Sequence, residues 1–223
     1  MKVIVNGKIE NATIVEQINT DNYIQSQSNN QGVSDSNDNL LLDILNKAIR
    51  MSERKYTKKL EDIHNDEFTD WLRDKGYYVT DQTRSGKALK TAGEIDIMIR
   101  EKDGTPYSII EAFRLQSCGE KNTVVVSHIN KLLNDYDTVG HLNNYIIVYS
   151  EASNFLQNWN NYKCYVESLN NNKIFTTNSK LISFEDMSDK YSTKTDIKVG
   201  MSKHYREGKN VNVYHVFINM CIN

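Results

Sequence analysis

The chain has 223 residues, of which 39% are hydrophobic and 25% are charged, and its formal net charge is −2 at pH 7. This length is sufficient for one main domain with a sizeable core, and the charge argues against a protein that coats nucleic acid by bulk electrostatics, although a local basic patch stays open. The three cysteines are far apart, which favours reduced thiols over a disulfide framework or a zinc site. Without a long apolar run or a hydrophobic leader, we expect no membrane association and a cytoplasmic location.

The predicted elements begin with a short β segment and a linker. Residues 1–19 alternate apolar and polar positions around an Asn-Gly pair, a pattern typical of a hairpin. Residues 20–39 are mostly Ser, Asn, Gln and Asp, which bury too little apolar area to offset ordering, so we predict a flexible linker. Helical spacing begins at Leu40, and a second helix is expected from about Thr57 to Lys75, before Gly76 ends it.

In the central segment the apolar period changes to two. Three strands are predicted to form a meander, with an Asp-Gly turn between the last two: Tyr77–Val79, Ile95–Arg100 and Tyr107–Leu115. The helical spacing of Val126–Tyr136 then predicts a helix, and the apolar run Tyr145–Tyr149 predicts a buried strand.

The C-terminal segment adds further elements. Ser153–Leu169 is expected to be a helix, and Ile197–Met201 and Val211–Met220 are expected to be strands around the Glu207-Gly208-Lys209-Asn210 turn. These elements divide the chain into a β segment, a linker and one α/β domain at 40–223, with a core at about 62–149 and an extension at 150–223.

Two acids are paired in the second strand of the meander. Glu94 and Asp96 are two residues apart, so both carboxylates point to one face of the strand while Ile95 and Ile97 point to the other. Neighbouring like charges are unfavourable unless a cation balances them, and hard divalent cations bind such oxygens. The alternative is a solvated strand face.

The next strand carries one acid, Glu111, within an apolar run that predicts a central strand. A buried carboxylate needs a partner. Because a tight turn joins the two strands, Asp96 and Glu111 can converge and bind one metal ion. On the preceding helix, Glu67 lies on the core-facing side four residues before Trp71, with a glutamate that reaches solvent as the alternative.

The residues from about Asp62 to Tyr149 resemble the core of the PD-(D/E)XK restriction-endonuclease-like superfamily. The resemblance begins with the helix that contains Glu67 and ends with the helix and apolar strand that come after the meander. Between them it rests on three stretches: Lys75-Gly76-Tyr77-Tyr78-Val79, Gly93-Glu94-Ile95-Asp96 and Ile109-Ile110-Glu111-Ala112. It implies an α/β fold with a restriction-endonuclease-like core, extended by a C-terminal helix and β-hairpin. It also implies that Asp96 and Glu111 hold Mg²⁺ or Mn²⁺ and that Glu67 supports the site.

The sequence departs from the family pattern two residues after Glu111, where the family has a lysine and this chain has Phe113. Lys131, on the following helix, and Arg114, on the same strand, are the candidates for the basic role. Lys131 is favoured, because an arginine stays protonated and Arg114 points to the opposite face of a regular strand. A surface cation or an ion-pair partner is the alternative for each.

The resemblance places the loop with Arg84, Lys87 and Lys90 against the nucleic-acid backbone, with a solvated loop as the alternative. The expected function is a metal-dependent nuclease that hydrolyses phosphodiester bonds of nucleic acid, foremost DNA, in a bacterial restriction or anti-phage system. The alternative is a catalytically inactive module that binds nucleic acid or a protein partner of a defence system. Since one site per chain cuts a duplex most simply as a dimer, we expect a homo-oligomer.

Overall fold

The computed structural model describes residues 39–55, 61–83, 95–192 and 194–222. Within these ranges the protein is a mixed α/β structure with one seven-stranded sheet and five α-helices, which confirms the predicted class. The chain divides into two units, Met1–Leu41 and Leu42–Asn223, and the second unit contains the whole sheet. The predicted β segment at 1–19 and all but the last residue of the predicted linker lie outside the described residues.

The helices and strands have these bounds. The helices are α1 at 39–53, α2 at Glu61–Asp74, α3 at Val124–Asn130, α4 at Phe155–Glu167 and α5 at Ser188–Tyr191. The strands are β1 at Tyr78–Thr83, β2 at Ile95–Arg100, β3 at Pro106–Leu115, β4 at Asn143–Ser150, β5 at Lys180–Asp186, β6 at Ile197–Arg206 and β7 at Lys209–Asn219. A π-helical segment, Lys131–Tyr136, continues α3, and a 3₁₀ turn, Leu169–Asn171, comes after α4.

The sheet has the strand order β1-β2-β3-β4-β7-β6-β5. The first three strands form the predicted antiparallel meander, and α3 then carries the chain to β4, which is parallel to β3. Strand β7 is parallel to β4 on its other side, and β6 and β5 extend the sheet in antiparallel fashion. The central strands β3, β4 and β7 therefore end at the same edge of the sheet, close to the predicted acids.

Several boundaries differ from the sequence prediction. Strands β6 and β7 are longer than expected because the turn between them is tight, with Glu207 at φ 45° and Gly208 at φ 85°, a conformation suited to a two-residue hairpin. The edge strand β5 and the short helix α5 were not predicted, since β5 has only one buried side chain, Leu181. The end of α2 is confirmed, because Gly76 lies just beyond it at φ 89°.

Each face of the sheet is covered by helices. On one face α3 and α4 pack on a cluster rich in aromatic side chains, in which Trp159 and Tyr162 lie 5.4 and 5.1 Å from the ring of Phe217. On the other face α2 packs against the meander, and its buried Phe68 lies 6.5 Å from the ring of Tyr149. Within the described ranges, no helix has the length and apolar character needed to cross a membrane.

Candidate active site

Strands β2 and β3 stop pairing beside two acids. The ladder ends at Ile97 and Ile110, and beyond it the backbone N–H of Ala112 donates to Asp96 Oδ2 at 2.8 Å instead of to a strand carbonyl. Asp96 and Glu111 share the face of the sheet that α3 covers, because Met98 and Phe113, each two residues further along its strand, pack in the cluster on that side. The structure therefore brings together the two acids predicted to hold a metal.

Glu111 is 2% exposed, and one of its carboxylate oxygens contacts a histidine on α3. His128 Nδ1 on α3 lies 2.6 Å from Glu111 Oε1, and the ring of His128 stacks on Phe113 with 4.4 Å between centroids. The second oxygen, Oε2, is buried and has no hydrogen-bond donor among the described residues. A buried carboxylate oxygen without a donor is costly, and a cation would satisfy it.

The two carboxyls perturb each other. Burial raises the pKa of Glu111 to about 8, against the lowering effect of the Lys131 charge. Burial and the neighbouring charge of Glu111 raise the pKa of Asp96 to about 8 as well. When one carboxyl is protonated the pair can share that proton, which accounts for the hydrogen bond from Asp96 that lowers the pKa of Glu111. Crowded acids with raised pKa values are typical of catalytic and metal sites.

His128 is neutral near pH 7. Burial, with the charge of Lys131 as the next largest cause, lowers its pKa to about 4. Its contact with Glu111 at neutral pH is therefore a hydrogen bond of a neutral imidazole and not an ion pair, although its 2.6 Å distance is short enough for one. The imidazole orients Oε1 and makes no contact with Oε2. In the sequence, the only signal for His128 is its place three residues before Lys131.

The α2 carboxylate that acts on this pair is Glu61. Its charge raises the pKa of both Asp96 and Glu111, and its Oε2 accepts a hydrogen bond from the backbone N–H of Arg114 at 3.1 Å. Sequence reasoning missed Glu61. The only available signal was its position as an acid in the first turn of α2, where acids are common for their effect on the helix dipole.

Glu67 lies further along α2. Its Oε2 is 3.7 Å from Lys47 Nζ, and it lines a cleft of about 340 Å³ between α1 and α2. Its charge raises the pKa of Tyr149 but is not among the influences on either acid. Its supporting role stays a prediction, and Glu61 is the nearer carboxylate to the pair.

The two candidates for the missing lysine have different surroundings. Lys131 begins the π-helical segment and is close enough for its charge to lower the pKa of Glu111, while it forms no ion pair within the described ranges. Arg114 lies on the opposite face of β3, as expected, and donates through Nε and Nη2 to Glu151 Oε1 at 2.8 and 2.5 Å. That ion pair occupies the guanidinium group, whereas Lys131 is available to the acids.

The remaining predicted contacts, Arg84, Lys87 and Lys90, lie outside the described residues. In the part of the chain that the structure describes, no group of three or more His, Cys, Asp or Glu side chains is arranged to hold a metal ion. Asp96 and Glu111 nevertheless fit Mg²⁺, which usually binds one or two carboxylates and completes its shell with water and substrate phosphate oxygens.

Comparison of the chain with protein-family models, with curated proteins and with solved structures finds no match. The function of the protein therefore rests on the geometry and chemistry of the site.

Proposed function

We propose that the protein is a Mg²⁺- or Mn²⁺-dependent nuclease with a restriction-endonuclease-like core, which hydrolyses phosphodiester bonds of nucleic acid, foremost DNA. The observation that carries the proposal is the convergence of Asp96 and Glu111 where β2 and β3 separate, with a buried oxygen of Glu111 left without a donor. Two hard oxygen ligands with raised pKa values are suited to a divalent cation.

Each residue of the site would have its own part in the reaction. Asp96 and Glu111 would hold the ion, which when bound stabilises negative charge on the phosphate and makes a water molecule more acidic. Asp96 is fixed by the N–H of Ala112, and Glu111 by His128, so both carboxyls are oriented before substrate binds. Lys131 would lie beside the reacting phosphate and stabilise its charge or accept a proton from the attacking water.

The order of elements also supports a restriction-endonuclease-like core. Helix α2, the meander β1-β2-β3, helix α3 and the parallel strand β4 succeed one another as the resemblance implies. A bacterial restriction or anti-phage setting, a cytoplasmic location and a homo-oligomer that cuts both strands of a duplex are the corresponding proposals for biology and assembly.

One observation favours a second candidate, a nuclease-fold module without activity. Phe113 stands where the family has its lysine, is 1% exposed and stacks on His128. An aromatic ring there leaves the face of β3 that carries Glu111 without a basic group of its own. In that case the protein would retain only binding to nucleic acid or to a protein partner of a defence system.

Cleavage of plasmid and linear DNA with and without metal separates the two candidates. We expect wild-type protein to cut in Mg²⁺ or Mn²⁺ and to leave DNA intact in EDTA. Asp96→Asn and Glu111→Gln should each reduce the rate by about three orders of magnitude, because the ion loses a ligand at the reacting phosphate. The matched control is Glu101→Gln, an exposed acid at the other end of β2. Binding without cleavage in either metal would support the inactive module.

A further inference from the structure

The cleft between α1 and α2 is strongly basic. It encloses about 340 Å³, within the range of small-ligand pockets, and four cations line it against the single acid Glu67. The cations are Lys47, Arg50, Arg54 and Lys55. A chain with a net charge of −2 thus concentrates positive charge in one concave place, and such a cleft raises the local concentration of anions.

Two of these cations have carboxylate partners and two do not. Lys47 lies 3.7 Å from Glu67, and Lys55 donates to Asp196 at 2.8 Å. Arg50 and Arg54 are exposed, one helical turn apart, and form no ion pair with a carboxylate in the described ranges. Their hydrogen-bond donors are therefore available to a ligand.

The guanidinium group of Arg50 is held in place by a ring. It lies 4.8 Å from the centroid of Trp71, whose Nε1–H donates to the backbone oxygen of Asp43 at 2.9 Å. A cation–π contact restrains a guanidinium group while leaving N–H donors accessible, and its planar fork matches the oxygens of a phosphate.

The cleft lies on the face of the sheet that α2 covers, whereas the acid pair lies on the face that α3 covers. Met220 lines the cleft just after β7, and its N–H donates to the Ser150 oxygen at the end of β4, so the cleft lies at the carboxyl ends of these parallel strands. His64, also in the cleft, packs with a tilted ring against Tyr149, with 4.8 Å between ring centroids. Strands β3 and β7 lie on either side of β4, so both sites lie at the central strands of the sheet.

We infer that this cleft is a phosphate-binding site for a nucleic-acid strand, with Arg50 and Arg54 as its principal donors. Nucleic acid as the source of the phosphate rests on the proposed function of the acid pair. The site would hold one phosphate while another part of the strand lies at Asp96 and Glu111. A terminal monoester and an internal diester offer the same oxygens, and experiment can distinguish them.

Binding of fluorescent single-stranded DNA in EDTA tests the inference without cleavage. The full chain is titrated against oligonucleotides with and without a 5′-phosphate, by fluorescence anisotropy at several salt concentrations. We expect the Arg50→Ala/Arg54→Ala protein to bind the DNA about tenfold more weakly. The slope of log binding constant against log salt concentration should become shallower by about 0.7 for each phosphate that the variant no longer neutralises. Tighter binding of the 5′-phosphorylated strand would assign a terminal phosphate, and equal binding would assign a backbone phosphate.

The matched control removes the same charge elsewhere. Lys180 and Lys209 are exposed at the starts of β5 and β7, at the opposite end of the sheet, and Lys180→Ala/Lys209→Ala should bind within about twofold of wild type. Equal weakening by both double variants would mean that only bulk charge acts, which would overturn the inference. If the alanine variant fails to fold, Arg50→Lys/Arg54→Lys keeps the charge and removes the forks, and binding like that of wild type would also overturn it.

The result is separable from the nuclease proposal. Wild-type cleavage of DNA together with unchanged binding by the Arg50→Ala/Arg54→Ala protein would refute the phosphate site and leave the nuclease intact. Weakened binding by that protein, in a chain that never cuts DNA, would support the phosphate site and refute the nuclease.

Discussion

Two buried histidines each contribute a loss of stability in acid, which the raised pKa values of Asp96 and Glu111 oppose. His215 and His204 are fully buried on β7 and β6 and are joined through the hydroxyl of Ser202, at 2.8 and 2.9 Å. His215 Nδ1 also lies 2.7 Å from the hydroxyl of Tyr162, so the imidazoles contact neutral groups in this chain of hydrogen bonds. Burial lowers the pKa of His215 to about 3 and that of His204 to about 4.

The size of the effect comes from linkage between protonation and unfolding. In the unfolded chain each histidine titrates near pH 6.5, so between pH 7 and pH 5 the unfolded state takes up protons that the folded state does not. Each histidine then costs about 2 kcal/mol of unfolding free energy on going from pH 7 to pH 5, or about 4 kcal/mol for the pair. That is a large part of the ~5–15 kcal/mol typical of a domain.

Urea unfolding of wild type and His215→Gln at pH 7 and pH 5, monitored by tryptophan fluorescence, measures this effect. The variant should be less stable at pH 7, because a buried hydrogen bond is disturbed, but its loss between pH 7 and pH 5 should be smaller by about 2 kcal/mol. Tyr162→Phe is the control, since it removes a hydrogen bond and keeps the titrating group, so its loss with acid should match wild type. An equal loss in wild type and His215→Gln would refute the reasoning.

Three further predictions concern the site and the sheet. Lys131→Ala should slow single-turnover cleavage more than Arg114→Ala, because the positive charge of Lys131 acts on Glu111; the reverse order would place the basic role on the strand. The affinity for Mg²⁺, measured by calorimetry, should be lower at pH 6 than at pH 8.5, because the raised pKa of Glu111 means that a proton must leave before the ion binds. Equal affinity at the two pH values would contradict a metal site on this acid. Gly200→Ala should lower the free energy of unfolding by about 1–3 kcal/mol, since the alanine Cβ would clash with Cζ of Phe184. An unchanged melting temperature would show that the Phe184 ring moves aside at no cost.

Much of the fold could be predicted because its signals are local. The apolar run at Tyr145–Tyr149 lies within the buried strand β4, and the turn at Asp103-Gly104 has the expected positive φ of 87° at its glycine. The order of helix, meander, helix and strand depends only on such periodicities and turns. The edge strand β5 escaped prediction because an edge position buries too few side chains to produce a clear pattern.

The tight turn at Asp103-Gly104 by itself determined that Asp96 and Glu111 would lie on neighbouring strands. The face that they share was set by the pairing of β2 with β3, whose register shifts between Ile99 and Arg100. Only the tertiary structure decided what surrounds them. That Glu61 rather than Glu67 acts on the pair depends on where α2 crosses the sheet, and the contact of His128 with Glu111 depends on how α3 packs against β3. These distances are set by long-range packing, which local periodicity does not encode, so the charge balance of the site could be read only from the folded chain.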